Sequence, residues 1–335
     1  MQLSSTLKRR IAIALLLAIL LSLSLASCER KEAHSFTFFG SFDTVTTVTV
    51  YGTDREAERF SERVGELLSH YHKLFDIYRD YPGQNNLKTL NDMAGIAPIE
   101  LDGEILSLLA YGLWIDSLTD GACRITYGAV LSIWHRYREA GVAIPDPALL
   151  DKASLYTSPE LLALDEAAGT AYLTSSEASL DVGAVAKGYA TEAIARTLIA
   201  EGFSDFSLNV GGNLRLVGDR ARTVGIRDPH SDSILLSFEM ESGSLVTSGN
   251  YERFYTVGGV RYHHLIDPKT AMPSNRWASV SVLTEDAGLA DALSTALFML
   301  DFEAGLALLQ RVGGAEALWV TPEGEVLSSE GFPLN

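Results

Sequence analysis

Polar and apolar residues alternate between Phe36 and Tyr51, and this period of two predicts a β-strand. Downstream, apolar side chains recur every three or four positions. This spacing predicts an amphipathic helix that Asp54 caps and that continues to about Ile77. The same criteria predict further helices at about Gly103–Leu118, Ala184–Glu201, Asp286–Leu300 and Glu303–Val312. Gly202 stands where a glycine commonly ends a helix.

Short strands dominate the second half of the chain and are joined in pairs by turns. They are predicted over residues 206–210, 214–217, 235–240, 245–247, 253–257, 260–266, 279–283 and 317–321. Gly258 and Gly259 form a hairpin signal between two of them, whereas residues 141–180 are predicted to be less regular. Strands grouped in hairpins, with helices between the groups, predict an α+β fold of mixed antiparallel sheets with packed helices. They do not predict a doubly wound sheet.

The N-terminal segment has the features of a secretion signal. Basic residues at positions 8–10 precede an apolar run over 11–25, which is shorter than the ~20 residues of a membrane-spanning helix. The sequence Leu-Ala-Ser-Cys that ends at Cys28 resembles a bacterial lipobox, in which the cysteine is lipidated and begins the mature chain. The alternative is an ordinary signal peptide with an incidental cysteine. We expect a signal peptide over 1–27, a tether over 28–35 and one folded domain over 36–335. The protein would be secreted and lipid-anchored (with palmitate) to the periplasmic face of the bacterial inner membrane.

The charge balance restricts the partners. The formal net charge is −17, and loss of residues 1–27, with three basic residues and no acid, would make it −20. Nucleic acid is not an expected partner, because its phosphates are bound by basic stripes. Any phosphate ligand requires a local cation. Besides Cys28 the chain has only Cys123, so no intrachain disulfide is expected.

A glycine-containing segment, Asp181-Val-Gly-Ala-Val-Ala-Lys-Gly-Tyr, lies at the start of a predicted helix. The free N–H groups and the dipole of a helix N-terminus favour phosphate, and Gly183 and Gly188 would let a ligand approach the backbone. In the simpler interpretation Asp181 caps the helix and the glycines permit tight packing. The pattern is neither a P-loop nor a dinucleotide fingerprint.

Two polar segments adjoin predicted strands. Asn209-Val-Gly-Gly-Asn is by itself most simply a bulge or a tight turn. Thr247-Ser-Gly-Asn-Tyr suits ligand contact or turn chemistry, because Ser248 lacks the G-x-S-x-G context of a hydrolase nucleophile.

His263 and His264 are neighbours near the end of a predicted strand. Adjacent strand residues face opposite sides, so the two cannot easily bind one metal, and one should face the site while the other faces the core or solvent. A histidine in a polar site suits general-base chemistry near neutral pH. A structural role for either is the alternative.

Asp291 and Thr295 lie four positions apart on a predicted helix and therefore on one face. Their oxygens suit magnesium, with water and substrate phosphates completing its coordination. The alternative is an acid near a helix start, a location that stabilises by only about 0.3–1 kcal/mol. Loss of Asp291 is therefore expected to leave the fold intact.

In their order along the chain, six segments resemble the motifs of the ApbE family, the FAD:protein FMN transferases. They are D-V-G-A-V-A-K-G-Y, N-V-G-G-N, G-I-R-D-P, T-S-G-N-Y, H-H-L-I-D-P-K-T and A-D-A-L-S-T-A. Further similarity upstream lies at Asp43-Thr44, Phe75 to Arg79, Asn91, Ile125 to Gly128 and Trp134. The resemblance covers nearly all of the mature chain.

This resemblance implies an ApbE/T-fold-like architecture and an Mg²⁺-dependent transfer of FMN from FAD to a threonine or serine hydroxyl of a target protein. A phosphoester forms and AMP is released. The metal ligands would be the Ala184 carbonyl, Asp291 and Thr295, and His264 would be the base for the acceptor hydroxyl. Tyr78 would stack on a ring of the cofactor. The other implied FAD-site residues are Asp43, Arg124, Ile125, Thr126, Asp181, Lys187, Asn209, Gly211, Gly212, Thr247, Ser248 and Leu265.

Two residues depart from the family pattern. Arg124 stands where aspartate is usual, and its side chain is expected either to approach a phosphate or to pair with Asp43. Ala271 replaces a usual glycine, which brings the turn geometry there into question.

Two alternative functions would use the same site. One is an Mg²⁺-dependent FAD pyrophosphatase that yields FMN and AMP, and the other is a non-catalytic lipoprotein that stores or delivers FAD. For the transferase, the expected partner is a secreted or membrane subunit of a redox pump with an FMN-attachment threonine or serine.

Overall fold

The computed structural model describes Arg9 and residues 30–334. Cys28 and, apart from Arg9, the expected signal peptide over 1–27 lie outside the described residues. Within the described part, no helix combines the length and apolar character that crossing a bilayer requires.

The helices and strands alternate in groups along the chain. The α-helices are α1 (Asp54–Phe75), α2 (Leu87–Asp92), α3 (Gly103–Leu118), α4 (Gly128–Ala140), α5 (Pro147–Ser154), α6 (Ala186–Ala200), α7 (Ala287–Met299) and α8 (Phe302–Val312). The strands are β1 (Glu32–Ser41), β2 (Thr44–Gly52), β3 (Ile99–Glu100), β4 (Leu162–Asp165), β5 (Thr170–Leu173), β6 (Phe206–Val210), β7 (Asn213–Val217), β8 (Arg222–Arg227), β9 (Ile234–Met240), β10 (Gly243–Gly249), β11 (Phe254–Val257), β12 (Val260–His263), β13 (Ile266–Asp267), β14 (Met272–Pro273), β15 (Ser279–Thr284), β16 (Ala315–Val320) and β17 (Val326–Ser328).

The main sheet has eight strands in the order β1-β2-β6-β7-β10-β15-β16-β17. Every neighbouring pair in it is antiparallel. A three-stranded sheet, β3-β5-β4, and three separate hairpins complete the strands of the described residues. The predicted α+β class is confirmed.

The two faces of the main sheet carry different cores, because side chains alternate along each strand. On β16, Trp319 belongs to the large core shared with α1, α6 and α7. Its neighbour Leu318 belongs to a smaller cluster on the opposite face, beneath the β8–β9 hairpin. The helices that carry candidate site residues are therefore packed on one side of the sheet.

A third cluster joins helices α4 and α5 to the β11–β12 hairpin. Trp134 and Val130 pack there with Tyr255 and Ile266. The indole Nε1–H of Trp134 donates to the carbonyl of Ala271 at 2.8 Å. This cluster fixes the segment that contains His264.

The predicted strand over Phe36–Tyr51 is two strands. A two-residue turn at Phe42 and Asp43, with φ angles of 55° and 51°, separates β1 from β2. Glycine or asparagine usually occupies the first central position of such a turn, and Phe42 stands there instead, so the turn was not predicted. β1 also begins at Glu32, so four residues assigned to the tether belong to the domain.

The start of α1 differs by one residue from the prediction. Thr53, not Asp54, is the N-cap: its hydroxyl accepts from the Glu56 N–H at 3.3 Å, and the Glu56 carboxylate accepts from the Thr53 N–H at 2.8 Å. Two other expectations are confirmed. Gly202 has a φ of 95° just beyond α6, and Gly258 and Gly259 form the β11–β12 turn.

Candidate active site

One large cavity, of about 800 Å³, opens between the β1–β2 turn, helices α4, α6 and α7, and the segment after β12. It brings together residues from distant parts of the chain, from Phe42 to Met299. The predicted site residues that line it are Asp43, Tyr78, Arg124, Asp181, Ala184, Lys187, Asn209, Gly211, Gly212, Thr247, Ser248, His264, Leu265, Asp291 and Thr295.

Ile125 and Thr126 do not line the cavity. Both are buried, and the Thr126 hydroxyl donates to the carbonyl of Thr157 at 2.8 Å. The Ile125 carbonyl accepts from the Asp181 N–H at 2.9 Å. The Ile125 backbone therefore holds Asp181 from behind, and the structure places neither the Ile125 nor the Thr126 side chain at the cavity wall, where both were expected.

Three oxygen-bearing residues meet at the α6–α7 side of the cavity. Ala184 lies just before α6, and Asp291 and Thr295 are one turn apart on α7. Asp291 is only 4% exposed. Its Oδ2 accepts from the Gly188 N–H at 2.8 Å, and its Oδ1 lies 3.8 Å from the Lys187 Nζ. A carbonyl, a carboxylate and a hydroxyl are a donor set that fits Mg²⁺.

The two neighbouring histidines have different environments. His263 is 2% exposed; its Nε2–H donates to the Ser274 carbonyl at 2.9 Å and its Nδ1 accepts from the Leu265 N–H at 3.2 Å. His264 faces the cavity, and its buried Nδ1 has no hydrogen-bond partner among the described residues. Of the two, only His264 presents its imidazole to the cavity.

Both imidazoles are held in the neutral form. Burial lowers the pKa of His263 to about 4. Burial, with the nearby positive charges of Arg253, Arg138 and Lys187, lowers the pKa of His264 to about 3. A neutral imidazole is the form that can accept a proton.

The wall opposite the oxygen donors is aromatic and basic. Tyr78 is 55% exposed, and its ring lies 5.4 Å from that of His135 with 34° between the planes. Arg138 Nη2 lies 2.9 Å from the His135 Nδ1. Asp181 accepts from the Gly183 N–H at 2.8 Å, and burial raises the pKa of its carboxyl. The Tyr78 ring is thus available to a flat ligand.

Hydroxyl groups on β10 are already engaged. Ser248 Oγ lies 2.8 Å from Ser294 Oγ, which in turn donates to the Asp291 carbonyl at 2.9 Å. Thr247 Oγ1 lies 2.7 Å from Ser281 Oγ. This arrangement agrees with ligand contact or support and not with a nucleophilic Ser248.

The β6–β7 turn requires its glycine at the cavity. Gly211 has a φ of 56°, and a Cβ there would lie 2.2 Å from the Thr44 Oγ1. Asn209 Oδ1 accepts from the Gly212 N–H at 3.0 Å. The turn interpretation of this motif is confirmed, and the turn forms part of the cavity wall.

Arg124 does not pair with Asp43. Its Nε donates to Asp116 Oδ2 at 2.5 Å, and its guanidinium occupies the space beside Gly121 where a Cβ would be. The ion pair holds a cation at the cavity wall. Ala271 adopts the left-handed conformation that glycine usually provides, with a φ of 54°, so the turn geometry is retained despite the substitution.

Three further cavity residues, His135, Arg138 and Arg253, were not predicted from the sequence. The first two lie on α4, a helix that was not predicted. A helical reading of residues 128–140 would have put His135 and Arg138 on one face, because they are three positions apart. Arg253 lies just before β11, where exposed arginines are common and carry no signal.

The chain resembles known proteins over most of its length. Residues 42–319 match the model of the ApbE family. The chain is 33% identical over 313 residues to the FAD:protein FMN transferase of Treponema pallidum (strain Nichols), which covers 86% of this chain and 85% of that protein. It is 29% identical over 275 residues to the FAD:protein FMN transferase of Klebsiella pneumoniae (strain 342), with 81% and 85% covered. The crystal structure of the ApbE protein from Thermotoga maritima has a TM-score of 0.82 and 26% identity, and covers 89% of this chain and 97% of that one.

Proposed function

Because the chain belongs to the ApbE family, we propose that it is an Mg²⁺-dependent FAD:protein FMN transferase. It would move FMN from FAD to a threonine or serine hydroxyl of another protein and release AMP. The observation that carries the proposal is that one cavity holds both the oxygen donors of Asp291 and Thr295 and the neutral imidazole of His264.

The transfer requires one bond to form and one to break at the FMN phosphorus. The acceptor hydroxyl oxygen attacks this phosphorus, the bond from phosphorus to the oxygen bridging the two phosphates breaks, and AMP leaves with that oxygen. The proton of the acceptor hydroxyl passes to His264. Phosphoryl-type transfers depend mostly on positioning and on neutralisation of charge, which suits a cavity with several fixed cations.

The chain's own groups would hold the diphosphate. Ala184, Asp291 and Thr295 would coordinate Mg²⁺, which when bound would neutralise charge on the phosphate oxygens. Lys187, 3.8 Å from Asp291 Oδ1, would contact the same diphosphate. Tyr78 and His135 would pack against a flat ring of FAD, since both rings line the cavity and lie 5.4 Å apart.

The test is incubation of the protein with FAD, Mg²⁺ and a candidate acceptor, followed by mass spectrometry of the acceptor. Flavin covalently bound to a threonine or serine supports the proposal. Free FMN and AMP with an unmodified acceptor would mean a pyrophosphatase, with water as the nucleophile. Intact FAD would mean a protein that only binds the cofactor.

We also propose that Cys28 is the site of lipidation and that the enzyme works at the periplasmic face of the inner membrane. The support is the lipobox-like sequence that ends at Cys28. β1 begins at Glu32, so four residue steps, or at most about 14 Å of extended chain, would separate the lipid from the domain. A domain held this close to the bilayer suits an acceptor in the same membrane, and the proposed acceptor is a redox-pump subunit.

A further inference from the structure

The residue that precedes helix α6 does not cap it. Its N-cap residue, Val185, makes no side-chain hydrogen bond. The N–H groups in the first turn of a helix have no partner within the helix, and the third of them, on Gly188, donates to Asp291 Oδ2 at 2.8 Å. Asp291 on α7 therefore caps α6.

Helix α6 supplies a similar contact in return. The N–H of Ala287, the first residue of α7, donates to Glu192 Oε2 on α6 at 3.1 Å. Glu192 also accepts from the Nε atoms of Arg196 and Arg215, both at 3.0 Å. Its carboxylate is thus buried, charge-paired and fixed in orientation.

The two contacts repeat with the period of the helices. Gly188 and Glu192 are four residues apart on α6, and Ala287 and Asp291 are four residues apart on α7. The backbones touch at Gly188, where a Cβ would lie 2.4 Å from both the Ala287 carbonyl oxygen and the Asp291 Cβ. Each helix thus holds the first turn of the other at a fixed distance.

We propose that Glu192 is a positioning residue for the metal site. By holding the first turn of α7 against α6, it keeps Asp291, one turn later, with Oδ2 on the Gly188 N–H. Oδ1, which lies 3.8 Å from the Lys187 Nζ, is then the oxygen that would bind the metal. This inference rests on the proposed function, which assigns the cation to Asp291. Groups that orient a metal ligand typically change metal affinity by about 10–100-fold when removed.

A purely structural Glu192 would have a different signature. Loss of a buried carboxylate that pairs with two arginines lowers the free energy of unfolding in either case. Only a positioning role changes the metal dissociation constant at a temperature where the variant is fully folded. The two roles are therefore separated by measuring metal binding and stability independently.

The experiment is a titration of Mn²⁺ into FAD-loaded protein without acceptor, followed by electron paramagnetic resonance, with Mn²⁺ and FAD alone as the blank. Glu192→Ala is expected to raise the dissociation constant by about 10–100-fold. Glu192→Gln, which keeps an oxygen for the Ala287 N–H and is less disruptive, is expected to give a smaller increase. The matched control is Glu201→Ala, since Glu201 also lies at α6 and pairs with an arginine, Arg63, at 2.8 Å; it should bind Mn²⁺ as the wild type does.

The outcomes distinguish this inference from the proposed function. The metal site stands if the wild type binds Mn²⁺ and Asp291→Asn does not. The positioning role is then refuted if folded Glu192→Gln and Glu192→Ala bind Mn²⁺ as the wild type does. If the wild-type protein binds no Mn²⁺, the metal site and the inference both fail. If Glu192→Ala does not fold, an unchanged dissociation constant in Glu192→Gln refutes the positioning role.

Discussion

Replacing His263 and His264 one at a time by alanine should separate stability from catalysis within two adjacent residues. His263 is enclosed and bonded at both ring nitrogens, whereas His264 faces the cavity with an unpartnered Nδ1. The two variants remove the same side chain from neighbouring positions, so each serves as the control for the other.

The stability lost in His263→Ala follows from the two buried backbone groups that would lose their hydrogen-bond partner. The Ser274 carbonyl and the Leu265 N–H would each lose a buried partner, at about 1–3 kcal/mol apiece. The ring also packs edge-on against Phe298, with 5.9 Å between ring centroids, and this contact is lost too. We expect the free energy of unfolding to fall by about 2–6 kcal/mol, with transfer of FMN retained in whatever fraction is folded.

His264→Ala should instead lower the rate of flavin transfer and leave stability nearly unchanged. No hydrogen bond of Nδ1 is lost, and because the side chain lines an open cavity its removal leaves no closed void. Stability should therefore stay within about 1 kcal/mol of the wild type. Flavin transfer should fall by about 10²–10⁴-fold, the usual effect of removing a general base, while FAD affinity stays near normal because the base acts on the acceptor hydroxyl.

The assay is in-gel flavin fluorescence of the acceptor over time, with FAD affinity from fluorescence quenching and stability from denaturant unfolding. Wild-type transfer by His264→Ala would refute the assignment of the base. Loss of transfer in folded, FAD-bound His263→Ala would refute it as well, because the reactive imidazole would then be the buried one.

Three further predictions concern other parts of the chain. Asp291→Asn should keep the cap on Gly188, whereas Asp291→Ala should lose about 1–2 kcal/mol of unfolding free energy. Both variants should lose Mg²⁺-dependent transfer. Equal stability of the two variants would contradict the cap. Burial lowers the pKa of His263 from 6.5 to about 4. Between these two pH values the unfolded chain binds more protons than the folded one, so the free energy of unfolding should fall as the pH is lowered from 6.5 to about 4. In His263→Gln the slope of unfolding free energy against pH should be shallower by up to about 1.4 kcal/mol per pH unit, and an unchanged slope would exclude His263 as the source. Cys28→Ala should release the protein from membranes and remove the mass of the lipid, whose chains contribute ~0.8 kcal/mol per buried CH₂; unchanged fractionation and mass would exclude lipidation there.

Periodicity predicted the longer elements well, and the failures have identifiable causes. The helix over Gly103–Leu118 has the predicted bounds, because a long apolar run ends at clear breakers. The turn at Phe42 and Asp43 was missed because its positive φ angles are imposed by the pairing of β1 with β2 and not by the residue types. Helix α4 was missed because it begins directly after a 3-10 turn, without a side-chain cap.

Site residues within a local turn could be predicted from sequence. Contacts between segments that are distant in sequence could not. Gly211 and Asp181 belong to local turns, so their presence in the cavity could be expected from sequence. The contact of Gly188 with Asp291 joins residues 103 positions apart, and no local pattern encodes it. For this reason the sequence did not indicate that Asp291 caps a second helix.

The charges around His264 suggest how its basicity is coupled to substrate. The mature chain would carry a net charge near −20, because loss of the signal segment removes three basic residues from a chain of −17. Around His264, however, Arg253, Arg138 and Lys187 make the potential positive. Burial, the larger cause, and these charges together lower the pKa of His264 to about 3. A local field of this sign attracts a diphosphate to a protein that otherwise repels anions. Once the diphosphate's negative charge neutralises these cations, the pKa of His264 should rise toward its ordinary value of 6.5, which makes the imidazole a stronger base only when FAD is bound. We therefore expect the ring resonances of His264 to titrate at a higher pH in the FAD complex than in the free protein, as nuclear magnetic resonance would measure. An unchanged or lowered pKa in the complex would mean that these three cations do not face the diphosphate.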